Sequence, residues 1–242
     1  MKLHIFDNKE ILTHQLAVWI TDLISETLKE QEFFTFVLSG GETPKQLYEK
    51  LASEEFKDKI EWKRINIFWG DERVVPFNDP RNNAKMAFDV LLDKVDIPPS
   101  QIHIMRTDIQ PNFAAEEYEK LLHNFFHSTN YSFDLVLLGM GDDGHTLSLF
   151  PGSPIIEEHV HWVNAVFNEQ QEMYRITLMP LIVNRSRQVA FMVTGEKKAQ
   201  VLQKVLEGER MPEKLPAQSI VPIEGELHWF LDKDSAKDLD SI

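Results

Sequence analysis

The chain contains no cysteine among its 242 residues. That absence excludes disulfide bonds, zinc sites built on thiolates and a thiol nucleophile. The N-terminal segment also reaches Asp7 before any apolar stretch develops, so we expect no secretory signal. A chain without a signal and without cysteine is typical of the cytosol, and we therefore predict a cytoplasmic location.

Positive charge is scarce, because 25 Lys and Arg residues stand against 39 Asp and Glu residues, for a net charge of −14. Nucleic-acid surfaces and anionic membranes both require a basic footprint on the protein. No apolar run approaches the roughly 20 residues of a membrane helix. We predict no nucleic-acid partner and no membrane association. A small anionic substrate remains compatible if the few cations are concentrated around it.

Short apolar runs alternate with helical patterns along the chain. The candidate strands are Phe33–Leu38, Ile65–Trp69, Phe133–Leu138, Val189–Val193 and Leu227–Leu231. Such runs are typical of strands buried on both faces of a parallel sheet. Apolar stripes from Phe113 to Phe126 and from Ala199 to Leu206 indicate helices, the second ending near Gly208. This alternation predicts an α/β fold, a doubly wound, mostly parallel sheet with helices on both faces.

The extent of the domain follows from composition. Hydrophobic residues make up 43% of the chain, and no repeat or long flexible linker interrupts it. We predict a single domain over residues 1–242, present as a monomer or a small homo-oligomer. The acidic segment 232–240 is expected to be a solvated, fraying end.

Polar turns that contain glycine follow four of the predicted strands. They are Ser39–Pro44, Gly70–Arg73, Gly139–His145 and Thr194–Lys198. Ligands of open parallel sheets bind outside the carboxyl ends of the strands. We therefore expect the four turns to lie at one edge and to form a common site.

The first of these turns has features of an anion site. Gly40 and Gly41 allow the backbone N–H groups to approach a ligand closely, next to Ser39. Thr43 is predicted to cap a helix whose first residue is Pro44. Free N–H donors at a helix N-terminus bind phosphate, although an ordinary strand-to-helix turn fits this segment equally well.

Cationic and polar side chains near the other turns could complete such a site. Arg73 and Lys198 are candidates for fixed positive charge, with Arg175 a third. Asp71 and Asn83 are candidates for contacts with sugar hydroxyls or for support of the residues that make them. Taken singly, each cation is also compatible with a solvated surface position.

The turn Gly139–His145 matches the spacing G-x-G-x-x-G of dinucleotide-binding loops. Its variable positions Asp142 and Asp143 would place carboxylates against the pyrophosphate that such a loop must hold. No acidic residue lies about 20 positions further on to bind a ribose hydroxyl. We therefore do not interpret this turn as a nicotinamide-cofactor site.

The same turn places Asp143 two residues before His145. A carboxylate that orients an imidazole raises its basicity, and an imidazole that titrates near neutrality suits proton transfer. The pattern predicts a catalytic pair, with a helix cap and a loop hydrogen bond as the alternative. His123 and His127 have the spacing of zinc ligands on a helix but lack the accompanying acid, so no metal is predicted.

Five segments in this order resemble the 6-phosphogluconolactonase family, within the superfamily that also contains glucosamine-6-phosphate deaminase. They are Leu38–Pro44, Trp69–Pro76, Gly139–Pro151, Arg175–Leu178 and Gly195–Ala199. The resemblance extends to about Trp229. It implies a doubly wound fold similar to that of the deaminase and of ribose-5-phosphate isomerase. One departure is Glu42, where the family often has a small polar residue.

The resemblance implies hydrolysis of 6-phospho-D-glucono-1,5-lactone to 6-phosphogluconate without a metal or an organic cofactor. The implied roles are proton transfer by His145, oriented by Asp143, and substrate binding by the following residues: Ser39, Gly40, Gly41, Thr43, Asp71, Arg73, Asn83, Arg175 and Lys198. Backbone N–H groups of the Gly139–Gly141 turn are candidates for stabilising the tetrahedral oxyanion.

Two alternatives remain open at this point. The deaminase carries a glutamate five residues after the histidine, where this chain has Phe150, and that difference favours the lactonase. A non-catalytic sugar-phosphate sensor would need a DNA-binding segment, and no basic helix-turn-helix precedes Phe33. A sensor also has no use for an intact Asp143 and His145 pair.

Overall fold

Two sheets organise the computed structural model, which describes residues 1–127 and 129–240. The strands are β1 (Lys2–Phe6), β2 (Phe34–Leu38), β3 (Ile65–Trp69), β4 (Asp71–Arg73), β5 (Leu135–Leu138), β6 (Val163–Asn168), β7 (Met173–Leu178), β8 (Gln188–Val193) and β9 (Glu226–Asp232). Six of them form a parallel sheet in the order β1-β9-β8-β5-β2-β3. All five strands that the sequence predicts lie in this sheet.

Helices occupy most of the connections between the parallel strands. They are α1 (Lys9–Thr27), α2 (Glu42–Leu51), α3 (Asn83–Val90), α4 (Pro111–Phe126), α5 (Pro180–Val183), α6 (Ala199–Glu207) and α7 (Lys233–Ala236). The two predicted stripes correspond to α4 and α6, although Phe113 is 60% exposed and lies outside the buried face of α4. Within the described residues, no helix combines the length and apolar character needed to cross a membrane.

Burial along three neighbouring strands, β5, β2 and β3, shows that both faces of the parallel sheet are covered there. Every residue of β2, β3 and β5 is buried. Since successive side chains of a strand point to opposite faces, complete burial requires packing layers on each side. The predicted α/β class with a mostly parallel sheet is confirmed.

A smaller antiparallel sheet of order β4-β7-β6 was not predicted. Its strand β4 has three residues and follows β3 after the single residue Gly70. In the β6–β7 hairpin, Phe167 and Tyr174 are about half exposed while Arg175 is buried. Burial in this hairpin therefore does not follow the apolar residues of the sequence. The register places Arg73 directly opposite Arg175, and this sheet thus brings two cations from distant parts of the chain together.

Two local expectations are wrong. Helix α2 begins at Glu42 after Gly41, whose φ of 107° is the left-handed conformation that glycine tolerates. Thr43 therefore lies inside the first turn and does not cap the helix. The segment 232–240 is not a frayed end, because the Asp232 carboxylate accepts from the backbone N–H of Ser235 at 2.8 Å and of Gly195 at 3.0 Å.

A buried histidine lies near the β1 side of the parallel sheet. His228 is 3% exposed. Its Nδ1 lies 3.0 Å from Nε2 of His4 and its Nε2 lies 2.8 Å from Oε1 of Gln188. Burial, reinforced by His4 and Lys2 and opposed by Glu226, lowers the pKa of His228 to about 4. The neutral imidazole satisfies both contacts with one donor and one acceptor nitrogen.

This histidine predicts an acid-dependent loss of stability. The unfolded chain binds a proton at His228 below its ordinary pKa of 6.5, whereas the folded chain binds it only near pH 4. Stability is therefore lost as pH falls from 6.5 to 4, by on the order of 1–3 kcal/mol. Urea unfolding of His228→Asn between pH 7 and 4.5 should show a shallower pH dependence. The exposed control His159→Asn should keep the wild-type slope, and equal slopes in all three proteins would contradict the assignment.

Candidate active site

A cavity of about 320 Å³ opens at the carboxyl edge of the parallel sheet. The four polar turns of the sequence all contribute to its wall, through Ser39, Gly40, Gly41, Thr43, Asp71, Arg73, Gly139, Met140, Gly141, His145, Thr194 and Lys198. Two further contributions come from the smaller sheet, Arg175 on β7 and Gln171 in the β6–β7 turn. The cavity thus lies where the two sheets meet.

His145 lines this cavity and is hydrogen-bonded to Asp143, which does not line it. Asp143 Oδ1 lies 2.6 Å from Nδ1 of the imidazole and also accepts from the backbone N–H of His145 at 3.0 Å. The imidazole hydrogen bond lowers the pKa of Asp143 to about 2. An Asp143 carboxylate that is ionised at neutral pH fixes the proton on Nδ1, which leaves Nε2 as the basic nitrogen.

Close packing in the turn makes the pair possible. A Cβ atom on Gly141 would lie 2.0 Å from the His145 Nδ1 and 2.6 Å from the Asp143 Oδ1, so only glycine fits. The N–H of Gly141 donates to the carbonyl of His145 at 2.8 Å. That donor is therefore occupied, and the expectation that it stabilises an oxyanion is wrong for Gly141.

The residues after the histidine hold the loop in an unusual conformation. Leu147 has a φ of 55°, in the left-handed region that a branched side chain rarely adopts. Its neighbours secure it, because Thr146 Oγ1 donates to the carbonyl of Gly139 at 2.9 Å and Ser148 Oγ donates to Asp71 Oδ2 at 2.7 Å. The loop is thereby tied to both β5 and β4.

Asp71 lines the cavity, whereas Asn83 lies behind it. The Asn83 Nδ2 donates to the backbone carbonyl of Asp71 at 2.9 Å and lies 3.3 Å from its Oδ1. Asn83 is 2% exposed and does not border the cavity. Its other neighbour is Gly40, where an added Cβ would lie 2.0 Å from the Asn83 Oδ1. Asn83 therefore supports two walls of the cavity.

A second carboxylate, Glu72, anchors Asn83 in turn. It is 1% exposed and accepts from the backbone N–H groups of Arg73, Asn83 and Ala84, each at 2.7 Å. Burial raises the pKa of Glu72 to about 7 against the opposing effect of these donors. The carboxylate joins β4 to the N-terminus of α3, where the helix dipole favours negative charge.

Three cations concentrate at the cavity. Arg73 and Arg175 project from adjacent strands, and Lys198 Nζ lies 2.5 Å from Oδ1 of Asp142. Arg175 is 4% exposed, and its buried Nε, like that of Arg73, has no hydrogen-bond partner among the described residues. Burial lowers the pKa of Arg175. Nη1 of Arg73 donates to the carbonyl of Arg81 at 2.7 Å, so its unmet donor is Nε. An unmet Nε donor on each of two arginines that line the cavity indicates a site for an anion.

The glycine turn Ser39–Thr43 forms the opposite part of the wall. Tyr48, fully buried, binds both the N–H and the carbonyl of Ser39 at 2.8 Å and fixes the start of the turn. Thr43 Oγ1 lies 3.4 Å from Oγ1 of Thr194, which connects the turn to the end of β8. Glu42 also borders the cavity, and its side chain is 71% exposed.

No group of three or more His, Asp and Glu side chains within residues 1–127 and 129–240 is arranged to hold a metal ion. His123, one of the two histidines with zinc-like spacing, stacks on Trp162 with ring centroids 3.9 Å apart. His127 Nδ1 lies 2.8 Å from the Asn124 carbonyl. Each thus has a local contact that explains its position.

Fold and cavity together define an α/β protein in which a cavity lined by three cations and by the imidazole of His145 lies at the carboxyl ends of parallel strands. The sequence profile of the family described as glucosamine-6-phosphate isomerases/6-phosphogluconolactonase matches residues 7–229, and the chain belongs to this family.

Individual relatives agree with this assignment. A 6-phosphogluconolactonase from Synechocystis sp. is 39% identical over 236 residues, which cover 96% of this chain and 95% of the relative. A chloroplastic 6-phosphogluconolactonase 3 from Arabidopsis thaliana is 37% identical and covers 98% of this chain and 75% of the relative. The solved 6-phosphogluconolactonase from Trypanosoma cruzi superposes with a TM-score of 0.85 at 26% identity, covering 99% and 97% of the two chains.

Several residues at the site carry no sequence signal that identified them. Gln171 reaches the cavity through a hairpin that was not predicted, and Glu72 acts only through backbone contacts. Ser148 is completely buried beneath Asp71. Glu72 directly follows Asp71, and Ser148 comes three residues after His145. This closeness along the chain to two predicted site residues is the one sequence feature that pointed near them.

The hydrogen bond between the pair predicts a measurable carboxylate titration. Removal of the imidazole in His145→Ala takes away the main cause of the lowered Asp143 pKa, which should rise from about 2 toward 3.8. Carboxyl ¹³C NMR at pH 3 to 4 then detects partial protonation of Asp143 in the variant and an ionised group in the wild type. The control His159→Ala should behave as the wild type. An Asp143 signal that stays ionised in His145→Ala would refute the pairing.

Proposed function

We propose that the chain hydrolyses 6-phospho-D-glucono-1,5-lactone to 6-phosphogluconate. The observation that carries the proposal is the Asp143–His145 pair, whose imidazole lines a cavity that Arg73, Arg175 and Lys198 also line. Proton transfer and phosphate binding are thus available in one small site. Membership of a family whose relatives carry this name supports the same substrate.

His145 acts as the general base in this mechanism. With Nδ1 engaged by Asp143, Nε2 takes a proton from a water molecule, and the resulting hydroxide adds to the lactone carbonyl. The tetrahedral intermediate collapses with cleavage of the bond between the carbonyl carbon and the ring oxygen. The imidazolium returns its proton to that oxygen, so water is consumed and the open-chain acid is formed.

The substrate phosphate binds at the cationic part of the cavity. Arg73 and Arg175 each have an Nε donor that no described residue satisfies, and Gly40 and Gly41 line the same space. Lys198 is paired with Asp142 in the free protein. Asp71 remains for the sugar hydroxyls, since its carboxylate borders the cavity.

An amino-sugar phosphate deaminase is the second candidate within the family. The position implied to hold an additional glutamate in that enzyme is Phe150, whose ring centroid lies 4.8 Å from that of His145. An apolar ring beside the imidazole removes the proton carrier that ring opening and amine chemistry need. Hydrolysis of a lactone needs only the activated water, so this neighbour favours the lactonase.

We propose a cytoplasmic location and a monomer or small homo-oligomer. The cysteine-free composition supports a reducing compartment. The Arabidopsis relative is chloroplastic by name, so a plastid is the alternative. Fractionation of the source cells and sedimentation of the purified chain would decide both points.

The direct test is hydrolysis of freshly generated δ-lactone, followed by proton release and corrected for its spontaneous opening. We expect the protein to accelerate acid production well above that background and to release no ammonia from glucosamine 6-phosphate. Acid production at the spontaneous rate, or ammonia release, would overturn the proposal.

The assigned pair predicts a large effect on turnover. His145→Ala removes the base, and Asp143→Asn removes the charge that fixes its tautomer, so kcat should fall by about 10²–10⁴ in each. Since both side chains are partly exposed, the variants should keep the circular dichroism spectrum and melting temperature of the wild type. The control His159→Ala should retain full activity. A folded His145→Ala protein with unchanged kcat would exclude the mechanism.

A further inference from the structure

Arg175 lacks a hydrogen-bonded carboxylate partner despite its burial. Its Nη1 lies 3.6 Å from Asp71 Oδ2, which exceeds normal hydrogen-bond length, and that oxygen already accepts from Ser148 at 2.7 Å. The Phe150 ring lies beneath the guanidinium, 6.0 Å from its central carbon. Arg73 stands directly opposite and adds a repulsive charge. With no carboxylate oxygen within hydrogen-bond distance, the guanidinium is held in place by another kind of acceptor.

Gln171 supplies that acceptor. Its Oε1 accepts a hydrogen bond from Nη2 of Arg175. Because a guanidinium has donors only, the amide oxygen must face Arg175 and the amide nitrogen must face away. Gln171 borders the same cavity, and its Nε2 makes no hydrogen bond to any of the described residues. Two N–H donors thus remain beside the cationic wall.

The position of Gln171 is fixed by the turn that carries it. Asn168 and Met173 form the last pair of the β6–β7 ladder, and the buried Asn168 Oδ1 accepts from the Gln171 backbone N–H at 2.8 Å. Glu172 adopts a φ of 49°, which closes the turn. The neighbouring Gln170 is exposed and makes no side-chain hydrogen bond among the described residues.

We propose that Gln171 is a positioning residue and a specificity determinant for the phosphate of the substrate. Its Oε1 orients the Arg175 guanidinium without neutralising it, and its Nε2 donates to a phosphate oxygen. A glutamate at this position would satisfy Arg175 by an ion pair and repel a dianion. The neutral amide keeps the positive charge available, which a site for a strongly anionic group requires.

The inference rests on the proposed function, and calorimetric binding of the product 6-phosphogluconate tests it independently of turnover. Gln171→Glu should weaken binding by more than about tenfold and Gln171→Ala by several-fold, since charge-assisted contacts are lost or reversed. Binding of inorganic phosphate should weaken in the same order. Gluconate, which lacks the phosphate, should show no such dependence. In hydrolysis, the loss should fall on KM more than on kcat.

Gln170→Glu is the matched control, because it adds the same charge one residue away on the same exposed turn. It should bind 6-phosphogluconate as the wild type does, and all variants should keep the wild-type melting temperature. Equal weakening of binding by Gln170→Glu and Gln171→Glu would show that only the added negative charge matters, and it would overturn the assignment. Unchanged binding by Gln171→Glu would also overturn it. If the variants show this binding pattern but the wild-type protein does not hydrolyse the lactone, the proposed lactonase function is refuted and the role of Gln171 in anion binding stands.

Discussion

The rest of the site depends on the contacts of one buried carboxylate, that of Asp71. It receives hydrogen bonds from Ser148 on the histidine loop and from Asn83 on α3, and it faces Arg175 on β7. One side chain thus connects the antiparallel sheet, helix α3 and the loop that carries Asp143 and His145. Because a buried carboxylate is stable only with such partners, the three elements hold each other in place.

The positive charge at the cavity contrasts with the acidic character of the whole chain. The protein carries a net charge of −14, yet Arg73, Arg175 and Lys198 meet at one cavity. The acidic remainder disfavours nonspecific binding of large polyanions, while the cavity retains a local preference for a small one. Neutral groups such as Gln171 fit this pattern, since they orient cations without cancelling their charge. Under the proposed function, specificity for phosphate arises from local geometry on an acidic protein.

Residue types and their order predicted the parallel sheet and its ligand edge. Apolar runs such as Ile65–Trp69 followed by glycine turns leave few other topologies, and the turns do meet at one cavity. The smaller sheet could not be predicted for two reasons. Strand β4 has only three residues, and on β7 the aromatic Tyr174 is exposed, so the apolar residues of that strand do not mark its buried side. Helix α7 within the segment 232–240 was missed for a similar reason, since the acidic composition of the segment conceals a cap made by Asp232.

The sequence by itself determined the fold class, the carboxyl-edge location of the site and the Asp143–His145 pair, because strand patterning and a two-residue spacing in a glycine turn are local properties. Only the tertiary structure decided which cations face one another and which side chains support them. Arg73 and Arg175 are about a hundred positions apart and meet through antiparallel register. Asn83, predicted as a candidate for ligand contact or support, is buried and supports Asp71 from behind. The sequence could not decide between these roles, because burial and hydrogen-bond direction depend on neighbours that are distant along the chain.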